Sequence, residues 1–369
     1  MSTDTTTPTT PTTPTATAPL DEAALMSFVF RCVDEVGAAL NCALVVMGDK
    51  LGYYQAMADH GPVTAPDLAR LTGTGEKYAT EWLNSQAAGA IVTYDPATHS
   101  YTLPPEQVVA FTDETSPAYL PGFFQIAFGT IRDAHRIFDL ARDGDGLGWG
   151  EHNSDVHDGC ERFFRPGYAA NLVPSWLPAL DGVVEKLERG ARVHDLGCGH
   201  GSSTILMAQA YPASSFAGSD AHAGSIDIAR ARAAAAGVAD RIGFETASST
   251  EVSGEGFDLV TTFDALHDMG DPVGAARRVH DLLAPDGTWM IVEPAAGDRI
   301  EDNFNPVGRA YYGFSTLLCT PGSLSQDVGL AIGTQAGPAR IRDIVTAAGF
   351  SGFRIAAQTP FNNVLEVRR

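Results

Sequence analysis

The segment His194-Asp195-Leu196-Gly197-Cys198-Gly199-His200-Gly201 ends one apolar run and leads into a helical pattern at Ser202–Ala210. Three alternating glycines let a turn bend tightly and let a ligand approach the backbone. Asp220 closes the next apolar run, 19 residues beyond Gly201, where a carboxylate can accept both hydroxyls of a ribose. A dinucleotide would suit such a pair, but it prefers G-x-G-x-x-G, with its pyrophosphate at the helix N-terminus. Here the order is G-x-G-x-G, Ser202 stands where the third dinucleotide glycine would fall, and Asp195 precedes the loop. A carboxylate at that point repels pyrophosphate and suits an ammonium group. S-adenosylmethionine has an ammonium, a sulfonium and a ribose and no phosphate, so the charges favour it over NAD. An ordinary strand-to-helix turn is the alternative for the glycines alone.

A second group could move a proton. Leu266-His267-Asp268 follows the fourth apolar run of the same region, and Glu293 ends the fifth. Methyl transfer from a sulfonium is an in-line displacement, to which a protein contributes alignment and exclusion of water. A phenolic acceptor, with a reference pKa of about 10, must still lose its proton, and an imidazole near 6.5 can take it. His267 is thus the candidate base, with a hydrogen-bonded structural role as the alternative. Glu293 could orient His267, hold a substrate amine or cap a loop. The other nine histidines show no metal spacing, and Cys32, Cys42, Cys160, Cys198 and Cys319 contain no C-x-x-C pair. No metal and no disulfide framework is expected, and the protein reads as reduced and cytoplasmic.

The elements that must position these groups alternate in type. Strands are expected at Arg192–Leu196, Ser215–Asp220, Ile242–Thr246, Phe257–Phe263 and Thr288–Glu293. Helices at Ser202–Ala210, Ile226–Ala236 and Pro272–Leu283 fall between them. This is an α/β pattern, a doubly wound Rossmann-like sheet. After a helix at Ala339–Ala348, Gly352–Ala357 and Asn363–Val367 are too close for a crossover and read as an antiparallel C-terminal hairpin. The stretch of about 45 residues before that helix exceeds a plain connection. With Phe304, Arg309, Tyr311, Tyr312, Phe314, Leu317 and Leu318, it reads as a lid (about 300–337) over an apolar substrate, Tyr311, Tyr312 and Phe314 lining it.

Upstream lies a second unit. Residues 1–20 hold ten Thr and four Pro with one charge, a composition expected to be a disordered tail. Residues 21–115 read as a long apolar-faced helix over 22–48, helices at Leu51–His60, Ala65–Leu71 and Glu76–Ala88, and a small hairpin around Asp95-Pro96: an α-rich winged-helix order. That module carries thirteen acids and four bases, and the whole chain 45 acids against 24 bases. A phosphate backbone repels such a surface, so nucleic acid is not the expected partner. The expected roles are homodimerisation through the long first helix and shaping one side of the substrate pocket. Aromatic connecting helices (116–180) lead to the α/β domain at 181–369. Apolar runs stay well short of the roughly 18 residues of a membrane span, so no membrane partner is expected.

The glycine loop, the Asp220 strand end and the terminal hairpin together resemble class I S-adenosylmethionine-dependent methyltransferases over Ala191–Arg369. The winged helix before that domain is similar to small-molecule O-methyltransferases. Phe263-Asp264-Ala265-Leu266-His267-Asp268-Met269-Gly270-Asp271-Pro272 and Cys319-Thr320-Pro321 resemble an actinobacterial-type two-domain subgroup. The resemblance implies that Asp195, Gly197, Gly199 and Gly201, with Cys198 as a small filler, surround the methionine portion of the cofactor. It puts Asp220 on the ribose, Ala221, Ala247 and Ser248 around the adenine, and Phe263 and Asp264 on the cofactor's inner side. In O-methyltransferases a similar Leu-His-Asp-Trp segment supplies the base; here Met269 replaces the Trp. The expectation is methyl transfer to a small apolar or aromatic molecule. N- or C-methylation without a base, or a winged-helix transcriptional regulator sensing the cofactor, stay open beside it.

Overall fold

The computed structural model describes residues 20–369, so the expected Thr/Pro tail lies, apart from Leu20, outside the described residues. The first helix, Glu22–Lys50, starts where the Asp21 carboxylate accepts the N–H groups of Ala23 and Ala24. Only its C-terminal part is packed: Val45 and Val46 are buried, whereas Leu25, Val29, Val33, Val36 and Leu40 are exposed. Helices Tyr53–His60, Ala65–Thr72 and Glu76–Ala88 follow, with Thr64 capping the second. The antiparallel wing pairs β1 (Thr93–Asp95) with β2 (Ser100–Thr102). Trp82 centres this unit, with Tyr53 and Tyr54 meeting it edge-on at 4.8 and 5.1 Å.

Two long helices, Pro121–Asp143 and Ser154–Asn171, then lie against each other. Charged side chains tie them to the first helix. Arg162 donates to Asp49 at 2.7 Å and to Gln125 at 2.9 Å, and Asp155 accepts from Lys50 and Arg132, both at 2.8 Å. The Asp155 carboxylate is nearly buried between two cations, which holds these pairs in one geometry.

The main sheet has seven strands: β3 (Arg192–Leu196), β4 (Ser215–Asp220), β5 (Ile242–Thr246), β6 (Phe257–Phe263), β7 (Leu283–Pro294), β8 (Gly352–Gln358) and β9 (Asn362–Arg368). Their order is β5-β4-β3-β6-β7-β9-β8, parallel except for β9, which runs antiparallel to both β7 and β8. Strand β7 begins five residues earlier than its alternation suggests, because Leu283 pairs with Phe257 across a register shift. Helices cover both faces: Met207, Ala208 and Ala233 pack on one side, Ala276, Val279, Ile344 and Val345 on the other. The order reverses at β3, the switch point where such sheets open a crevice at their carboxyl ends. Among the described residues, no helix is long and apolar enough to cross a membrane.

Candidate active site

The crevice is a cavity of about 510 Å³ above the carboxyl ends of β3, β4 and β6. The glycine loop forms its floor. Gly197, Gly199 and Gly201 all have positive φ (76°, 50° and 77°), a conformation in which a side chain is strained. A Cβ on Gly199 would meet nothing within 4 Å, so the backbone there is open to a ligand. Asp220 closes the loop: its Oδ2 accepts the Gly199 N–H at 3.0 Å and its Oδ1 the His222 N–H at 2.8 Å. Burial pushes this carboxyl up, and the two backbone donors hold it back. Ala221, Ala247 and Ser248 line the same end, and the Ala247 N–H is held by the Asp220 carbonyl.

Two expected cofactor contacts, Asp195 and Gly201, come out differently. Asp195 does not face the cavity. It is fully buried beneath the loop, where Oδ2 accepts from Ser203 and Thr204, both at 2.6 Å, and Oδ1 accepts from Thr261 at 2.9 Å. Its carboxylate braces strand β3 against the following helix and strand β6, away from the cavity. Gly201 turns inward, where a Cβ would sit 3.1 Å from both Ala229 and Phe244; it serves the tight turn. Cys198 lines the cavity as a buried filler.

Phe263 and Asp264 line the cavity at the end of β6. Asp264 has φ +47°, unusual for a residue with a side chain, and its carboxylate accepts from Asn362 at 3.0 Å and Tyr168 at 3.3 Å. Burial, reinforced by Glu293, pushes its carboxyl up to about 8.

His267 lines the chamber beyond and is buried. Its Nδ1 lies 2.5 Å from Glu293 Oε2, while Glu293 Oε1 accepts the Leu266 N–H at 2.9 Å. The carboxylate only accepts, so Nδ1 carries the proton and Nε2 is directed elsewhere. Asp268 Oδ1 stands 3.3 Å from Nε2 yet has no hydrogen-bond partner. Burial opposes charge on the imidazole, but Asp268 and Glu293 outweigh it and carry its proton affinity well above the ordinary value. Glu293 itself is buried behind His267 and does not line the cavity. Of the roles open to it, the geometry matches the orienting of His267.

The expected lid is helical: Pro306–Phe314 continues through a wide turn at Ser315–Cys319 into Thr320–Leu324. Tyr311, Phe314, Leu318 and Cys319 line the cavity, but Tyr312 points away from it. Tyr311 and Phe314 are one turn apart on a single helix face, and Tyr312 lies about 100° round from Tyr311. The opposite wall comes from residues assigned no site role in the sequence: Trp149, His157, Glu161, Phe163, Phe164 and Tyr168. Their aromatic density was the available signal. The winged helix contributes nothing to the wall, since the first residue lining the cavity is Ile126; the expectation that it shapes the pocket is corrected for a single chain.

A glycine turn at the switch point, an acid on the next strand and an enclosed chamber define a nucleoside-cofactor transferase site rather than a phosphate-binding one. Comparison agrees. Residues 187–327 match the family described as "Methyltransferase domain", and residues 38–113 match the "Rv2258c-like winged HTH domain". The order of the two matched segments, a winged-helix one before a methyltransferase one, is that of the observed fold. A ubiquinone biosynthesis O-methyltransferase of Ruegeria pomeroyi is 34% identical over 98 residues, 27% of this chain and 39% of that protein. The 27-O-demethylrifamycin SV methyltransferase of Amycolatopsis mediterranei is 34% identical over 131 residues, 33% of this chain and 48% of that protein. The matches to curated relatives span from 33% to 52% of those relatives' lengths. The mitomycin 7-O-methyltransferase MmcR shares the fold over 95% of this chain and 100% of its own, with TM-score 0.68 and 18% identity. Human N-acetylserotonin methyltransferase, solved with S-adenosylmethionine, does so over 96% and 99%, with TM-score 0.67 and 16% identity.

S-adenosylmethionine is the cofactor of this domain class. The lining fits it: the backbone at Gly199 is open and the Asp220 carboxylate lies at the same end of the cavity.

Proposed function

We propose that the protein transfers a methyl group from S-adenosylmethionine to a hydroxyl on a small apolar, often aromatic, molecule. The observation that carries this is the single cavity shared by the glycine loop, Asp220 and His267, with aromatic side chains closing the far side. When bound, the cofactor supplies an electrophilic methyl group on a sulfonium.

The chain's own residues do the rest. Gly197, Gly199 and Ser203 border the methionine portion, Asp220 holds the ribose, and Ala221, Ala247 and Ser248 flank the adenine. Phe163, Phe164, Tyr311 and Phe314 exclude water and present an apolar acceptor in line with the methyl group. His267 takes the acceptor's proton at Nε2. Glu293 holds Nδ1–H and so fixes the tautomer that leaves Nε2 free. The high proton affinity that the carboxylates give His267 makes it a strong acceptor once neutral.

The assembly is a homodimer through the exposed stripe of the first helix, and no nucleic-acid or membrane contact enters the function. The compartment is the cytoplasm, in keeping with five free cysteines among the described residues. The test is calorimetric titration with S-adenosylhomocysteine, followed by mass spectrometry of cell extract incubated with protein and methyl-labelled cofactor. Micromolar binding and a labelled small molecule are expected. No heat at millimolar ligand would overturn the proposal.

A further inference from the structure

The stretch Asp143-Gly144-Asp145-Gly146-Leu147-Gly148-Trp149-Gly150, with a glycine at every second position, joins the two long helices Pro121–Asp143 and Ser154–Asn171. Its tip carries a ring into a row of three. The Trp149 and His157 rings are 5.1 Å apart, and the His157 and His222 rings again 5.1 Å. The row is fixed from behind. His157 Nε2 donates to the Trp149 carbonyl at 2.9 Å, and His222 Nδ1 lies 2.9 Å from Ser225 Oγ. Gly150 lies so close to His222 that a Cβ there would stand 3.1 Å from the ring. The His222 N–H is also one of the two backbone donors to the Asp220 carboxylate. Trp149, His157 and His222 line the cavity at the same end as Asp220 and Ala221.

We propose that Trp149, His157 and His222 form an aromatic clasp over the adenosyl portion of the cofactor, whose release waits on withdrawal of the Trp149 ring. The clasp rests on the proposed reading that Asp220 takes the ribose. A purine and its ribose offer a flat π face and an apolar edge, which aromatic rings hold without any charge. Trp149 is the tryptophan placed for this. Trp82, Trp176 and Trp289 are buried in the cores at 2% exposure or less, whereas Trp149 is half-buried at the cavity wall. A large ring left part-open beside a cavity has area still to bury, and a ligand there supplies the contact.

The part that moves is short. On one side Leu147 is buried and donates its N–H to the Pro321 carbonyl at 3.0 Å. On the other, the Asn153 side chain donates to the Gly129 carbonyl at 2.8 Å and to Asp133 at 2.9 Å. Between these anchors Trp149 has Gly148 before it and Gly150 after it, so the backbone can turn on both sides of the ring with little strain. His222 does not share that freedom. Its ring is packed between Gly150 and Gly224, and its main chain is tied to Asp220. The clasp therefore has one fixed jaw, continuous with the ribose acid, and one movable jaw.

Stopped-flow release of S-adenosylhomocysteine from the full-length protein tests the clasp. Trp149→Ala should speed release by roughly 5–100-fold, the range that removing one ring from a nucleobase stack spans. Trp149→Phe keeps a ring and should stay within a few-fold of wild type, while losing most of the change in tryptophan emission that binding produces. 5′-Methylthioadenosine, which lacks the amino-acid part of the cofactor, should show the same ratio between Trp149→Ala and wild type. Should Trp149→Ala fail to fold, Trp149→Leu, apolar and bulky but without a ring, takes its place. The clasp is overturned if the folded ringless variant releases the ligand at the wild-type rate, or if Trp149→Phe releases it just as fast as that variant. Wild type that binds no S-adenosylhomocysteine overturns the proposed function instead, so the two failures are distinguishable.

Discussion

Glu293 Oε2 stands 2.5 Å from His267 Nδ1, and the other oxygen of the same carboxylate holds the backbone N–H of Leu266. One side chain at the end of β7 thus fixes both the ring and the turn that carries it. The imidazole cannot rotate without breaking a buried charge-assisted bond.

That relationship sets the first expectation. If the ring meets the acceptor and not the cofactor, as proposed, His267→Ala should lower kcat by 10²–10⁴-fold while leaving the Kd for S-adenosylhomocysteine within a few-fold. Glu293→Gln keeps the shape but not the charge and should lower kcat less than His267→Ala does. Single-turnover rates beside calorimetry check both. Near-normal turnover in His267→Ala would mean the acceptor arrives already nucleophilic.

Asp220→Ala should weaken cofactor binding by tenfold or more. It removes charge-assisted bonds to the ribose, about 1.5–3 kcal/mol each in gross terms, and frees the Gly199 and His222 N–H groups. Asp220→Asn keeps part of the loop bonding and separates the two effects. An unchanged Kd in a folded variant would place the ribose elsewhere.

Stability should fall below neutral pH because of His194. It is buried, bonded to Ser219 at 2.8 Å, and burial lowers its pKa to about 4. The unfolded chain takes up a proton near pH 6.5 that the folded chain refuses until about 4. Stability is therefore complete above 6.5 and declines as pH falls towards 4, by roughly 3 kcal/mol at most. Denaturant melts of wild type and His194→Gln between pH 7 and 5 check this; the variant should show the flatter profile, and parallel profiles would count against it.

The first helix should carry the dimer. Leu25, Val29, Val33, Val36 and Leu40 recur every three or four residues on one face, all exposed within one chain. Val29→Asp with Val36→Asp should shift sedimentation velocity from dimer to monomer without lowering cofactor affinity. Wild type that sediments as a monomer at micromolar concentration would rule the dimer out.

Much of the frame was legible in the residues themselves. β3 to β6 fall at their expected positions, because buried parallel strands are continuous apolar runs bounded by sharp turn signals. The glycine loop, Asp220 and the His267 segment were visible for a related reason: they lie at strand ends, where local sequence dictates local chain direction. The C-terminal hairpin followed from a connection too short for anything else.

What local sequence does not carry is which way a side chain faces once three elements meet. Asp195 had the charge for an ammonium group, but three hydroxyls, two from the following helix and one from β6, claim its oxygens. Tyr311 and Tyr312 are adjacent and chemically alike, and the 100° step of the helix alone sends one into the cavity and the other away. The wall formed by Trp149, Phe163, Phe164 and Tyr168, and the approach of Cys319 to His267, join segments 52 to 170 residues apart. Such contacts arise from packing helices over a sheet edge, a geometry set by the whole core and not by any one stretch of chain.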